Sequence, residues 1–218
     1  MKPNLIAALK HIALLGGVRE TVSFSSKELG LALGISQQAA SKRLLDLTRE
    51  GLIMRNIVSR RESVRLSAKG IDILRREFAE FKLIFDQAKE LSLSGVVVSG
   101  LGEGAFYMRQ KGYKEQFRRL LDYEPFEGTL NMRIPGEELT KLEVLRQAEG
   151  MAIEPFESGG RTFGGARCFK AKVQGVDCAV VMPLRSHHSD VVEIISRNNL
   201  RARLDLKDGD SVEAIVLL

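Results

Sequence analysis

Three short stretches carry residue types that could do chemistry together. The first is Ser99-Gly100-Leu101-Gly102-Glu103-Gly104-Ala105, where glycines alternate after the β-branched run GVVV. Glycines in this pattern let successive backbone N–H groups turn toward one anion and form a nest for phosphate. The second is Gly128-Thr129-Leu130-Asn131. Thr129 and Asn131 lie two apart in an apparent strand, so their side chains share a face. They offer a hydroxyl and an amide carbonyl, hard oxygens of the kind Mg2+ accepts. The third, PLRSHHSDVVEIIS, gathers Ser186, His187, His188 and Glu193 between two apolar strands. Taken singly, the three read as a hairpin turn, a strand contact and a solvated loop. No further His or Cys cluster accompanies the two histidines, so a zinc site is not indicated.

The glycine spacing also fits G-x-G-x-x-A, the relaxed dinucleotide fingerprint. That fingerprint needs a helix opening at the glycines inside a βαβ unit. The residues that follow, FYM, read as a strand, and the first helical pattern starts near Tyr113. The match is therefore a coincidence of spacing. Neither a Walker A sequence nor a set of protein-kinase loops is present, which leaves a conventional ATP enzyme without support.

The chain that must position these groups has 218 residues, of which 44% are hydrophobic and 28% charged, a globular composition. No apolar stretch approaches the roughly 20 residues of a membrane span. The N-terminal apolar run is broken by Lys10 and His11 and reads as an amphipathic helix, not a leader. Cys168 and Cys178, both in apolar surroundings, read as reduced core thiols, and a cytoplasmic protein is expected. Residues 1–91 hold 16 Lys and Arg against 10 Asp and Glu, whereas residues 92–218 hold 17 against 18. The net charges of +6 and −1 place a polyanion partner with the first part. Two domains are expected, 1–91 and 92–218.

In the first, residues 5–15 carry helical spacing. Ser25 and Glu28 have capping-box spacing for a helix ending near Gly34, and Ser36 caps a second helix whose face is Ala40, Leu44 and Leu47, stopped by Gly51. LIMRNIV and ESVRLS follow as two strands around the turn SRR, a wing. This order resembles the winged helix-turn-helix of bacterial and archaeal transcription regulators. The resemblance implies DNA contact through Gln37, Gln38, Ser41, Lys42 and Arg43 on the second helix and through Arg60 and Arg61 at the wing tip. Winged helices also serve as protein-interaction modules, so both readings stand. From residue 68 to 91, Ile71, Leu74, Phe78, Phe81, Phe85 and Ala88 form a heptad-like seam, suited either to a homodimer or to packing within the chain.

From Leu93 the texture changes to short strands: GVVVS, FYM, GTLNMRI, ARCFKAKV, DCAVVMPL, VVEIIS and SVEAIVLL. Only YKEQFRRLL and EELTKLEVLRQ read as helices. Many strands and few helices suggest a small β-barrel, making the whole chain α+β. The ordered set GVVVSGLGEGAFYM, YKEQF, FEGTLN, HSDVVEII, NLR and LKDGD resembles the archaeal CTP-dependent riboflavin kinases. Some of these carry an N-terminal winged helix. The resemblance implies a cradle-loop β-barrel that phosphorylates the ribityl 5′-hydroxyl of riboflavin to give FMN, with CTP as donor and Mg2+ as cofactor. By position it implies that Gly100, Leu101, Gly102, Glu103, Gly104 and Ala105 line the nucleotide, completed by Asn198, Asn199, Leu200 and Arg201. It implies further that Thr129 and Asn131 hold the metal and that Ser186 and Glu193 contact the flavin. Glu193 is the candidate to accept or orient the hydroxyl proton, or only anchors the flavin. Alternatives are a regulator whose barrel senses a flavin or nucleotide without catalysis, and an interaction scaffold that takes no ligand.

Overall fold

A computed structural model describes residues 3–58, 61–86, 89–100, 102–184 and 190–218. The chain divides into two compact units, Met1–Phe78 and Ala79–Leu218.

The first unit opens with α1 (Pro3–Ile12), followed by a π-helical turn, Ala13–Gly17, which Gly16 closes at φ 108°. Strand β1 (Val22–Phe24), absent from the sequence reading, leads into α2 (Ser26–Leu33). The Ser25 hydroxyl accepts from the Glu28 N–H while the Glu28 carboxylate accepts from the Ser25 N–H, the expected capping box. Helix α3 (Gln37–Arg49) starts at the Ser36 cap and buries Ala40, Leu44 and Leu47. Strands β2 (Ile53–Val58) and β3 (Arg61–Leu66) pair antiparallel, and β1 joins the far edge of β3. Three helices and this small sheet make a winged-helix arrangement. Across β2 and β3 the Arg55 guanidinium grips the Glu62 carboxylate with two hydrogen bonds, 2.6 and 2.8 Å, both side chains about nine-tenths buried. Helix α4 (Ala68–Phe85) contains the division between the units, which thus falls before the 91/92 position expected from charge and texture.

The second unit begins with β4 (Glu90–Val98), then α5 (Glu103–Met108), α6 (Lys111–Leu121), β5 (Leu130–Arg133) and α7 (Leu139–Gln147). Three three-residue strands follow, β6 (Met151–Ile153), β7 (Phe156–Ser158) and β8 (Arg161–Phe163), none of them legible as an alternating run. The chain ends with β9 (Ala166–Val173), β10 (Val176–Pro183), β11 (Val191–Ile195), α8 (Leu200–Leu204) and β12 (Ser211–Leu217). The sheet runs β10-β11-β5-β4-β12-β9, and β9 also pairs with β10, so six antiparallel strands close into a barrel. Closure removes the exposed edges that an open sheet would carry.

One expectation fails here. Phe106, Tyr107 and Met108 are helical, not extended: α5 starts just after Gly102, which sits in the left-handed region at φ 83°. Helix lets Met108 and Tyr107 reach the same aromatic cluster, and that burial overrides the strand propensity of an aromatic run. The Rossmann reading stays excluded, for a different reason. Every strand pairing around the barrel is antiparallel, so the described residues form no βαβ unit there.

Two cores share the barrel wall. Inside lie Leu93, Val97, Leu130, Met132, Phe169, Val180, Val192, Ile194, Val212 and Ala214, with Leu142 and Leu145 of α7 packed among them. Outside, Cys168, Ala179, Val181 and Ile195 are covered by Tyr113, Phe117 and Leu121 of α6 together with Phe163. Strand β10 is buried on both faces, which is why CAVVM reads as an unbroken apolar run. The two cysteines are free and buried, and burial pushes both thiols up to about 12.

Phe117 is 1% exposed at the centre of the outer core. Phe117→Ala should lower stability by about 3–5 kcal/mol, the usual result of emptying a buried aromatic site. Urea unfolding followed by circular dichroism measures it.

Candidate functional site

A single lateral row of residues crosses the outer surface of the barrel. Registers place Val98 of β4 opposite Asn131 of β5, Asn131 opposite Glu193 of β11, Glu193 opposite Val181 of β10, and Val181 opposite Cys168 of β9. Directly opposed residues point to one face, with neighbouring strands about 4.8 Å apart. The inward neighbours of this row, Val97, Met132, Val192 and Val180, all belong to the inner core. The row therefore faces outward, polar at Asn131 and Glu193 and apolar at Val181 and Cys168.

The glycine stretch lies on the polar half. A Cβ on Gly100 would overlap the Asn131 side-chain amide, and one on Gly104 would overlap the Thr129 hydroxyl. Only a bare backbone fits against that pair. The Thr129 hydroxyl donates to Asn131 Oδ1 across 3.1 Å, so the two oxygens sit side by side. Glu103, on the first turn of α5, faces Glu193 closely enough for its charge to act there. Burial first, and the Glu103 carboxylate second, push the Glu193 carboxyl above its ordinary range.

The base of the glycine stretch is tied down from α8. The Arg201 guanidinium donates to the Val98 carbonyl at 2.7 Å and pairs with Asp208 at 2.7 Å. Asp208 in turn accepts from the Ser99 hydroxyl at 2.5 Å. That bond and the Arg201 charge hold the Asp208 carboxyl below its usual range. Asn199 caps α8 through Oδ1, which accepts from the Ala202 N–H at 3.2 Å. A cavity of about 90 Å³ opens between Thr129, Gly128 and Phe126 on one side and Asn198, Asn199, Leu200 and Arg201 on the other.

The segment before Thr129 is clamped as well. Phe126 N–H donates to the Ser196 carbonyl at 2.8 Å. Glu127 accepts from Arg109 at 3.0 Å and Lys114 at 2.8 Å, which joins it to the ends of α5 and α6. Lys114 also pairs with Glu124, and Arg118 bonds the same carboxylate.

The structure thus brings Gly100, Gly104, Thr129, Asn131, Glu103 and Glu193 into one site, with Asn198–Arg201 along its rim. Gly102 caps α5, and Ala105 is half-buried within it. Leu101 and Ser186, with His187 and His188, lie outside the described residues, so their expected contacts have no placement. In the first unit, Gln37, Gln38 and Lys42 are exposed at the start of α3, and Ser41 and Arg43 are half-exposed. Arg61 bonds the Ser23 hydroxyl and carbonyl at 3.2 Å each and pairs with Glu28 at 3.5 Å, while Arg60 lies outside the described residues. Sequence reasoning passed over Asp208, Glu127 and Ser99. Asp208 sits in KDGD, where it looks like turn chemistry alone, and Glu127 precedes GTLN with nothing in the spacing to mark its partners.

Among the described residues, no group of three or more His, Cys, Asp or Glu could hold a metal. Thr129 and Asn131 fit a hard ion that takes few protein ligands. Lying side by side, the Thr129 hydroxyl and Asn131 Oδ1 are the atoms that would hold such an ion. No helix among the described residues is long and apolar enough to cross a membrane.

A family model for CTP-dependent riboflavin kinase, described as a domain of unknown function (DUF120), matches residues 97–216. A riboflavin kinase of Archaeoglobus fulgidus is 40% identical over 216 residues, covering 99% of this chain and 93% of that protein. One from Methanospirillum hungatei is 42% identical and covers 99% of both chains. One from Picrophilus torridus is 39% identical over 97% of this chain and 96% of its own. Among solved structures, a MarR family transcription regulator aligns with 56% of this chain and 75% of its own at 22% identity and a TM-score of 0.32, which bears on neither fold nor function.

The raised Glu193 carboxyl has a consequence for stability. The folded chain holds this proton more tightly than the unfolded one, so stability falls as pH rises from the unfolded carboxylate value through the folded value. Glu193→Gln removes that loss. It should raise the melting temperature at neutral pH, with the gain fading as pH drops toward 4; thermal unfolding across pH checks the sign.

Proposed function

The chain belongs to the CTP-dependent riboflavin kinase family, and we propose that the site on its barrel wall performs that reaction: riboflavin and CTP give FMN and CDP. The observation that carries the reading is the glycine backbone seated against Thr129 and Asn131, with Glu193 beside Asn131 in register. The 5′-hydroxyl of riboflavin attacks the γ-phosphorus of CTP. The bond to the β–γ bridging oxygen breaks, and CDP leaves with that oxygen. Phosphoryl transfer of this kind needs alignment and charge neutralisation more than covalent help.

The residues divide that work. Backbone N–H groups of the stretch from Gly100 to Ala105 cradle the phosphates, and Asn198 to Arg201 enclose the nucleotide from the other side of the small cavity. Thr129 and Asn131 would hold Mg2+, which when bound would neutralise phosphate charge and orient the transferred group. Glu193 accepts the hydroxyl proton, and its raised pKa makes it a stronger base than an exposed carboxylate. Ser186 contributes a hydroxyl to the flavin. Arg201, bonded to the Val98 carbonyl and to Asp208, keeps the glycine stretch in place.

The first unit is proposed to bind DNA, with Gln37, Gln38, Ser41, Lys42 and Arg43 of α3 toward the major groove and Arg60 at the wing. The exposed amides and cation at the start of α3 favour this reading. Arg61 is committed to Ser23 and Glu28 and serves DNA only if those contacts exchange. The exposed Phe81 and Phe85 rings, stacked at 6.4 Å, leave α4 as the seam for a second copy.

The kinase reading is tested with riboflavin, Mg2+ and each nucleoside triphosphate in turn. FMN should form with CTP. FMN from ATP alone would reject the donor, and riboflavin binding without turnover would favour a sensor. Thr129→Ala with Asn131→Ala should reduce turnover at least about 100-fold while the protein stays folded, the scale of losing an electrostatic contact to the transition state. For the first unit, Lys42→Ala should weaken binding to duplex DNA and lower the salt slope by about one. Fluorescence anisotropy across a salt series measures both, and no binding at low salt rejects the DNA reading.

A further inference from the structure

The stretch Tyr113-Lys114-Glu115-Gln116-Phe117 of α6 holds a lysine to which the phosphoryl-transfer chemistry assigns no role. Its neighbours fix the helix. Tyr113 and Phe117 are 8% and 1% exposed in the outer core, and the Tyr113 hydroxyl donates to the Gly164 carbonyl at 2.6 Å. The Gln116 amide exchanges hydrogen bonds with the Glu154 backbone at 2.8 and 3.1 Å. The helix is therefore anchored without Lys114, whose side chain is left to hold something else.

What it holds is the segment that leads into Thr129. After α6 the chain turns at Asp122, in the left-handed region at φ 60°, and runs without regular structure to β5. Lys114 Nζ reaches Glu124 Oε1 at 3.2 Å and Glu127 Oε1 at 2.8 Å, so one ammonium grips both carboxylates that bracket Pro125 and Phe126. Its side chain is 23% exposed, against 41% and 45% for the two glutamates, so the cation sits beneath the anions it holds. Arg109, at the end of α5, donates to the other Glu127 oxygen at 3.0 Å. Near the start of that same helix, Gly104 is pressed against the Thr129 hydroxyl. Glu127 is thus tied to a fixed helix on one side and to the far end of α5 on the other, two residues before the first oxygen of the Thr129–Asn131 pair.

We propose that Lys114 is a positioning residue for that pair: by holding Glu127 it fixes Thr129 and Asn131 in the arrangement that would bind the divalent ion. This rests on the kinase reading above. Ion pairs open to solvent add little to stability, so this one can be lost without unfolding the chain. They can still set geometry. Groups that orient metal ligands without touching the metal typically change its affinity by about 10–100-fold.

The test uses the full chain, with Mn2+ as the probe ion. Binding of Mn2+ in the presence of CDP, read from the electron paramagnetic resonance signal of the free ion, needs no turnover; FMN formation from CTP and Mg2+ supplies kcat. Lys114→Met and Glu127→Gln should each weaken Mn2+ binding roughly tenfold or more and lower kcat, with a melting temperature close to that of the wild type. The double variant should lose no more than the worse single one, because both substitutions break the same contact. Lys114→Arg, whose fork of donors serves both carboxylates, should restore binding and rate. A lysine acting directly on the phosphates predicts the opposite for its partner: Glu127→Gln would free it and keep wild-type Mn2+ binding and kcat, and that result overturns the proposal. Wild-type Mn2+ binding and kcat in Lys114→Met also overturn it and leave the kinase reading standing. Losses that follow a lowered melting temperature in both single variants overturn it too, as does a wild-type protein that binds no Mn2+. Mn2+ binding that depends on Lys114 in a protein forming no FMN supports the positioning role and removes the kinase reading.

Discussion

Backbone without side chain, pressed against a hydroxyl and an amide, is the contact on which the site depends. Gly100 meets Asn131 and Gly104 meets Thr129 at distances that no Cβ could share. The approach brings the glycine backbone against two hard oxygens, and on that convergence rest the phosphate and cation roles proposed for the site. Helix α5, beginning at Glu103, then carries a carboxylate over Glu193 and an aromatic ring further along. Each of these placements follows once the glycines have closed on β5.

The barrel supplies a rigid wall for this contact. Six antiparallel strands close on themselves, so the register of β4, β5 and β11 cannot slip without breaking a full ring of pairings. An inner core fills the barrel, and an outer core fixes α6 over β9 and β10. Between the outer core and the glycine stretch lie Asn131 and Glu193, the polar part of the row. Glu193 sits at its border, where burial raises its pKa and a second carboxylate raises it further. The fold tolerates a destabilised ionised group there, which suits the base role proposed for Glu193.

Much of this was legible in the residues. Periodicity located α2, α3, α6, α7 and the long strands, and the capping box at Ser25 and Glu28 formed as its spacing implied. The grouping of the glycine stretch, GTLN and Glu193 came from motif order and resemblance, since no local signal says that residues 100, 131 and 193 meet. Phe106-Tyr107-Met108 was misread because three residues are too few to show a period, and burial of Met108 and Tyr107 decided the outcome. Strands β6, β7 and β8 are too short to alternate. The Arg201–Asp208–Ser99 tie spans more than a hundred residues, and Asp208 looked like part of a turn and nothing more.

The bare glycine backbone against Thr129 is the proposed phosphate site. The rate of FMN formation by Gly104→Ala, measured beside its melting temperature, tests it most directly. A folded protein is expected whose rate falls at least about 100-fold, because the added methyl displaces the Thr129 hydroxyl and the transition-state contacts built on it. A folded Gly104→Ala protein turning over at the wild-type rate would contradict it.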